Sequence, residues 1–300
     1  MADPDPSEAG GIWLNQEIQQ KVRWRDGDIV VSVPPKSGTT WTMNIVHQLR
    51  TGGDREFEDI YAEVPWLEFV DHPRRTVDEI VARIDNMPAA PRRAFKSHSP
   101  PPLLPFVEQV EYVVVARNPE EAIASLKPFM DQHTPEWLDL WKLPRETFVT
   151  PDFDTFYRAS IVSENLPAML FGFMAQWWPL RHRPNVLLLH FADLVRDHEG
   201  SIRKIAEFLG FTPTAEQWPT ILECSSFAWM KQHQRKFDAT TVTEVPFWRA
   251  GAMVRKGQVG AARDDGVSEA IASDLAARGR AILQDQGAFE WLYNGGPWPA

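Results

Sequence analysis

From Asp28 the chain turns from polar to apolar. Ile29-Val30-Val31-Ser32-Val33 is a short, β-branched run of the kind buried in parallel sheets. Two prolines and a small-residue loop follow, after which Trp41, Ile45, Val46 and Leu49 recur at helical spacing as far as Arg50. The order predicts strand, tight loop, helix. The alternation returns with strands at 93–96, 112–116 (YVVVA) and 186–189 (VLLL), and with helical spacing from Glu120 through Ile123 and Leu126. A further helix is predicted over 201–209 from Ile202, Ile205, Phe208 and Leu209, with Gly210 as its stop. Buried-type strands alternating with helices predict an α/β fold, a central parallel sheet flanked by helices.

Two stretches leave that scheme. Residues 129–178 carry twice the chain-wide aromatic share of 11%, so their rings either wall a binding site or fill a second core layer. Residues 238–265 read as a long loop bearing Arg249, Arg255, Lys256 and Arg263, and long irregular segments in compact domains tend to be lids or binding loops. Residues 1–11, rich in Pro, Asp, Ser and Gly without periodicity, read as a frayed tail, leaving 12–300 as one domain.

Composition narrows the function. With 300 residues, 43% hydrophobic and 24% charged, the chain is ordinary globular material, which excludes collagenous and wholly disordered classes. No apolar run approaches the ~20 residues of a membrane helix, so no membrane span is expected. The single cysteine, Cys224, excludes an internal disulfide framework and fits a reducing, cytoplasmic location. A net charge of −10 argues against a nucleic-acid partner, which needs a broad basic face. A local cluster of Lys and Arg can still bind a small anion.

Four local motifs supply such cations. Pro34-Pro35-Lys36-Ser37-Gly38-Thr39-Thr40-Trp41 sits between strand and helix, where backbone amides, hydroxyls and one lysine suit phosphate. It is not a Walker A loop, because its lysine precedes its only glycine. Phe95-Lys96-Ser97-His98 closes the next strand, and strand ends are where ligands collect in open α/β sheets. Arg117, with Ser125 eight residues on, follows the third strand, and Arg255-Lys256-Gly257 lies in the late loop. Taken singly, these three read as a structural histidine, a surface ion pair and a solvated charge run.

Together, PPKSGTTW, FKSHSP, ARNPEEAIAS and RKGQVG resemble, in order and separation, the cytosolic-type sulfotransferases that use 3′-phosphoadenosine 5′-phosphosulfate (PAPS), bacterial members included. The resemblance spans roughly residues 26–260. It implies a P-loop-like three-layer fold, PAPS as co-substrate and no metal, in keeping with the lack of any His/Cys/Asp/Glu cluster at ligand spacing. By position it implies that Lys36, Ser37, Gly38, Thr39 and Thr40 hold the 5′-phosphosulfate and that Trp41 stacks on adenine. His98 matches the catalytic base and Lys96 the lysine beside the transferring sulfonyl group. Arg117 and Ser125 match the 3′-phosphate pair, over which Arg255, Lys256 and Gly257 close. Ser225 and Phe227 match a segment touching adenine, and Phe191 takes the place of the usual tyrosine against the base.

The residue types suit that chemistry. A hydroxyl acceptor needs a base to take its proton, for which a neutral histidine serves. A lysine at the leaving oxygen, here assigned to Lys36, stabilises the charge that develops there. The aromatic segment points to a small, apolar or aromatic hydroxyl acceptor: an alcohol, a phenol or a glycolipid. Three departures stand out: Phe191 lacks the hydroxyl of the family's tyrosine, Gly260-Ala261-Ala262-Arg263-Asp264-Asp265 replaces the family's G-D-W-K, and the family's short dimer motif is missing, so the sequence sets no oligomeric state. The rival readings are an ATP-dependent kinase, which lacks its Walker A order here, and a non-catalytic nucleotide binder, which has no need of His98.

Overall fold

The computed structural model describes residues 13–298, so the tail read at 1–11 lies outside the described residues. Among them, strands β1 (Ile29–Ser32), β2 (Ala94–Ser97), β3 (Glu111–Ala116) and β4 (Val186–His190) pair in parallel in the order β2-β1-β3-β4. Every strand residue except Glu111 is buried, as expected of a sheet covered on both faces. Helices flank it in the P-loop-like three-layer arrangement. The ones used below are α1 (Thr39–Thr51), α2 (Pro119–Met130), α3 (Phe191–Arg196), α4 (His198–Phe208), α5 (Trp218–Cys224) and α6 (Phe227–Gln232).

The order of strands fixes where a ligand can sit. The chain leaves β1 toward β2 on one side, then crosses to β3 on the other. This opens a crevice beyond the carboxyl ends of β1 and β3.

Strand and helix limits differ from the sequence reading by a few residues, for local reasons. Val33 still donates to Ser97 O at 3.1 Å, but Pro34 has no N–H with which to continue β1. Helix α4 starts three residues earlier than the periodicity predicts, because Asp197 caps it by accepting from the Gly200 amide at 2.9 Å. Asn118 accepts from the Glu120 amide at 2.9 Å and Pro119 takes the first helical position, so the Arg-Asn-Pro run ends β3 and starts α2 at once. Residues 238–268 contain no helix or strand, as expected for the late loop.

A buried ion pair ties the edge strand to the rest. Arg93 donates through Nε to Asp28 Oδ1 at 2.8 Å and through Nη2 to Oδ2, with both side chains almost fully buried. Removing one partner strands a charge, at a cost of ~3–5 kcal/mol. Asp28→Ala is therefore expected to lower the unfolding free energy by about that much in urea denaturation. A loss of under ~1 kcal/mol would mean that water reaches the guanidinium.

Candidate active site

The loop between β1 and α1 is bent for its task. Lys36 has φ 62°, a strained conformation for a side chain with a Cβ. Gly38 has φ 97°, and a Cβ there would come within 2.8 Å of the Phe191 ring. Both constraints demand glycine at 38. Helix α1 begins at Thr39 with no side-chain cap and no acidic residue in its first turn. Its first amides are therefore open to an anion.

Lys36 Nζ lies 3.9 Å from the centre of the Phe129 ring. Burial, then the positive charges of Arg117 and Arg255, bring its pKa down to about 7. Lys96 sits one strand over, its Nζ 3.3 Å above the Trp66 ring. Burial holds it well below the ordinary lysine value against the pull of Glu68, with Lys36 adding to the lowering.

His98 packs edge-on against the same Trp66 ring, with centroids 5.0 Å apart. Its Nδ1 lies 2.6 Å from Val33 O. A carbonyl only accepts, so Nδ1 carries the proton and donates it, leaving Nε2 as a lone-pair acceptor. Burial, then Lys96 and Lys36, hold the imidazole well below its usual pKa, despite the bond to Val33. The ring is neutral, in the tautomer a general base requires.

Glu68 organises this end of β2 and was not singled out from sequence. The segment before it is laid along the strand edge, Lys96 N donating to Pro65 O at 2.8 Å and Leu67 N to Lys96 O at 2.9 Å. Glu68 Oε1 then accepts from Ser97 Oγ at 2.5 Å, His98 N at 2.9 Å, Ser99 N at 3.1 Å and Ser99 Oγ at 2.7 Å. Four donors on one buried carboxylate oxygen lock the turn that carries His98. The available signal was a lone charge within the apolar run Val64-Pro65-Trp66-Leu67-Glu68-Phe69-Val70.

Arg117 closes the other side. It donates through Nη1 to Lys36 O at 2.8 Å and through Nη2 to Gln258 O at 3.1 Å, and its guanidinium lies 4.4 Å from the Phe191 ring centre. Phe191 meets Trp41 edge-on at 5.7 Å, and His198 stacks on Trp41 at 5.8 Å, 18° from parallel. Trp41 Nε1 donates to Ser225 O at 2.7 Å, pinning the end of α5 to α1. A Cβ on Gly257 would collide with the Phe227 ring, so the late loop rests directly on α6.

One cavity of about 780 Å³ collects these groups. It is lined by Lys36, Gly38, Thr39, Thr40, Trp41, Lys96, His98, Arg117, Ser125, Phe191, Phe227, Arg255, Lys256 and Gly257. Ser37 and Ser225 do not line it. Both are fully buried behind the wall, their hydroxyl oxygens without a partner among the described residues. Ser225 meets the site only through the carbonyl that holds Trp41.

The aromatic stretch divides. Phe129, Phe148 and Phe156 face the cavity, while Trp137, Trp141, Phe171, Phe173 and Trp177 are core. The remaining aromatic wall comes from Trp13, Tyr61, Trp66, Phe247 and Trp248, far away in sequence. Among the described residues no helix is long and apolar enough to cross a membrane, and no group of three or more metal-ligating side chains occurs.

This geometry, an uncapped helix start and buried cations around a neutral histidine, is that of a group-transfer site for an anionic donor. The model of the sulfotransferase domain matches residues 26–274, and the chain belongs to that family. It is 29% identical over 252 residues to sulfotransferase 1A1 of Rattus norvegicus, covering 81% of this chain and 80% of the relative. It is 30% identical over 233 residues to the glycolipid sulfotransferase of Mycobacterium bovis, covering 67% and 70%. The fold matches mouse sulfotransferase SULT7A1 complexed with PAP at a TM-score of 0.69 and 18% identity, over 93% of each chain. It matches retinol dehydratase in complex with retinol and PAP at 0.66 and 22% identity, over 88% and 83%. The chain is thus a transferase with sulfotransferase activity.

If Glu68 holds the turn of His98, Glu68→Gln should speed hydrogen exchange at the His98 and Ser99 amides by about tenfold or more, since a bond to a charged acceptor is worth ~1.5–3 kcal/mol. Unchanged protection would show that other contacts hold the turn.

Proposed function

We propose that this chain moves the sulfonate group of PAPS to a hydroxyl of a small apolar or aromatic acceptor, with His98 as the base. The observation that carries the reading is the neutral His98 ring, Nδ1–H tied to Val33, in one cavity with Lys36, Lys96 and the open start of α1. The PAP held by mouse SULT7A1 in its solved complex agrees with this nucleotide.

The site fits the donor. The loop from Lys36 to Thr40 offers amides and a lysine to the 5′-phosphosulfate, with Ser37 shaping it from behind. Arg117, Ser125, Arg255, Lys256 and Gly257 take the 3′-phosphate, and the buried Arg255 Nε, which has no partner among the described residues, is suited to accepting that role. Trp41, Phe191 and Phe227 frame the adenine, and Ser225 acts through its carbonyl. Phe191 offers only a ring face, without the hydroxyl of the family's usual tyrosine.

His98 Nε2 takes the proton as the acceptor oxygen bonds to sulfur. The sulfur–oxygen bond to the 5′-phosphate breaks with its electron pair on the departing oxygen. Lys36 meets that charge, and Lys96 meets the sulfonyl oxygens. A lysine near pH 7 is well matched to donating at a leaving oxygen. The aromatic wall favours an alcohol, phenol or glycolipid, the last in keeping with the mycobacterial relative.

The test is a thermal-shift panel of 3′-phosphoadenosine 5′-phosphate, 5′-AMP and ATP–magnesium on the wild type and His98→Ala. The 3′-phosphorylated nucleotide should stabilise both proteins well beyond 5′-AMP or ATP–magnesium, by ~2.7 kcal/mol at a hundred times its Kd, while His98→Ala loses transfer to any acceptor found. A preference for ATP–magnesium would point to the kinase reading instead.

Lys36 adds a pH dependence. Its pKa stands near 7 without nucleotide because burial, Arg117 and Arg255 oppose its charge, and an anion beside it favours the ammonium form. Affinity should be full below that value and fall as pH rises through it. About one unit above it, binding should take up close to ~1 proton. Calorimetry in two buffers of different ionisation enthalpy reads this directly, and zero uptake would remove Lys36 from the phosphosulfate contact.

A further inference from the structure

The loop from Gly260 departs from the family pattern, and its Asp265 reaches back to the basic cluster. Arg255 Nη2 donates to Asp265 Oδ2 at 3.1 Å, and Lys256 Nζ pairs with Asp265 Oδ1. Arg117 Nε donates to Glu121 Oε2 at 3.3 Å, while Glu121 Oε1 accepts from the Gly260 amide. Three cations thus face two carboxylates of the same chain. Asp265 is fixed by its own turn, its amide donating to Ala261 O at 3.0 Å, and its side chain is only 13% exposed. It is a seated partner, not a solvent-borne charge.

Arg117, Ser125, Arg255, Lys256 and Asp265 line one small cavity of about 30 Å³. Arg117, Ser125, Arg255 and Lys256 also line the cavity of about 780 Å³, which Asp265 does not. A phosphate bringing ~−1.5 to −2 charges to these cations from that side competes with the carboxylate that holds two of them.

We propose that Asp265 is an internal counter-anion standing where the 3′-phosphate binds, so that phosphate and Asp265 exchange on Arg255 and Lys256. The proposal rests on the reading of these cations as the 3′-phosphate site. Asp265 holds the late loop over the site before nucleotide binds, weakens binding of 3′-phosphorylated nucleotides, and speeds release of the product, 3′-phosphoadenosine 5′-phosphate. Product release often limits turnover in closing sites, so the carboxylate favours turnover over affinity.

Isothermal titration of 3′-phosphoadenosine 5′-phosphate and 5′-AMP into the wild type, Asp265→Asn and Asp265→Ala tests this without an acceptor. Both variants should bind the 3′-phosphorylated nucleotide at least about fivefold tighter and release it more slowly, because a charge-assisted competitor is gone. Binding of 5′-AMP should change less than about twofold. Equal or weaker binding of the 3′-phosphorylated nucleotide by both variants would overturn the proposal and make Asp265 a tether that shapes the loop. A wild type with no preference for the 3′-phosphate would instead overturn the underlying site reading, whatever the variants do.

Discussion

Because β1 is bonded to β2 along one edge and to β3 along the other, the three segments that leave their carboxyl ends are held within one crevice. Lys36 follows β1, Lys96 and His98 end β2, and Arg117 follows β3. The registers Val31 with Lys96 and Ser32 with Val114 leave no slack in that placement. A one-residue slip would turn Lys96 to the opposite face of the sheet. The His98 tautomer depends on the same pairing, since the carbonyl it bonds, Val33 O, lies just past β1.

The price of this convergence is a buried concentration of like charge in a protein whose net charge is −10. Arg117 and Arg255 depress Lys36, Lys36 depresses Lys96 and Arg255 depresses Arg117, and three devices offset the repulsion. Ring faces receive the ammonium groups, Phe129 under Lys36 and Trp66 under Lys96. Glu68 sets a buried anion behind the His98 turn. Glu121 and Asp265 engage the cations nearest the mouth. The offsets are graded: the innermost lysines keep soft aromatic partners, which an anionic ligand can outbid, whereas the peripheral cations hold full carboxylates.

The parts of this arrangement that were legible in the sequence are those that local chemistry dictates. Glycine at 38, the uncapped start of α1 and the Asn118-Pro119 junction each follow from a few adjacent residues, and so the phosphate-type loop and Arg117 could be placed before any coordinates. Glu68 was not found because its meaning lies in an edge pairing that brings it beside residues some thirty positions later. The aromatic stretch could be read either way, and its rings divide between cavity and core. Helical geometry sends Trp137 and Trp141 inward, while Trp13 and Phe247 arrive at the cavity from the two ends of the chain. Ser225 illustrates a subtler limit: matching a position locates a backbone, not the direction of its hydroxyl.

The division of the walls also bears on how one cavity can serve two substrates. On one wall Arg117, Arg255 and Lys256 are fixed by hydrogen bonds to the loop before α1, the start of α2 and the late loop. The opposite wall is ring upon ring, with Trp66 touching both sides: Lys96 sits over its face and His98 lies nearly perpendicular to it, while Phe69 stacks on it at 5.2 Å and Trp13 meets it near-perpendicular at 6.0 Å. An apolar body placed against those rings therefore meets the indole that Lys96 and His98 both touch. Rings pack by shape and make few directional demands, whereas the lone pair of His98 Nε2, fixed by the Nδ1 bond to Val33, is a single point; under the function proposed above, the acceptor's hydroxyl is held to that point and its apolar body is not. A shape-tolerant wall and a fixed polar point thus meet at the same indole.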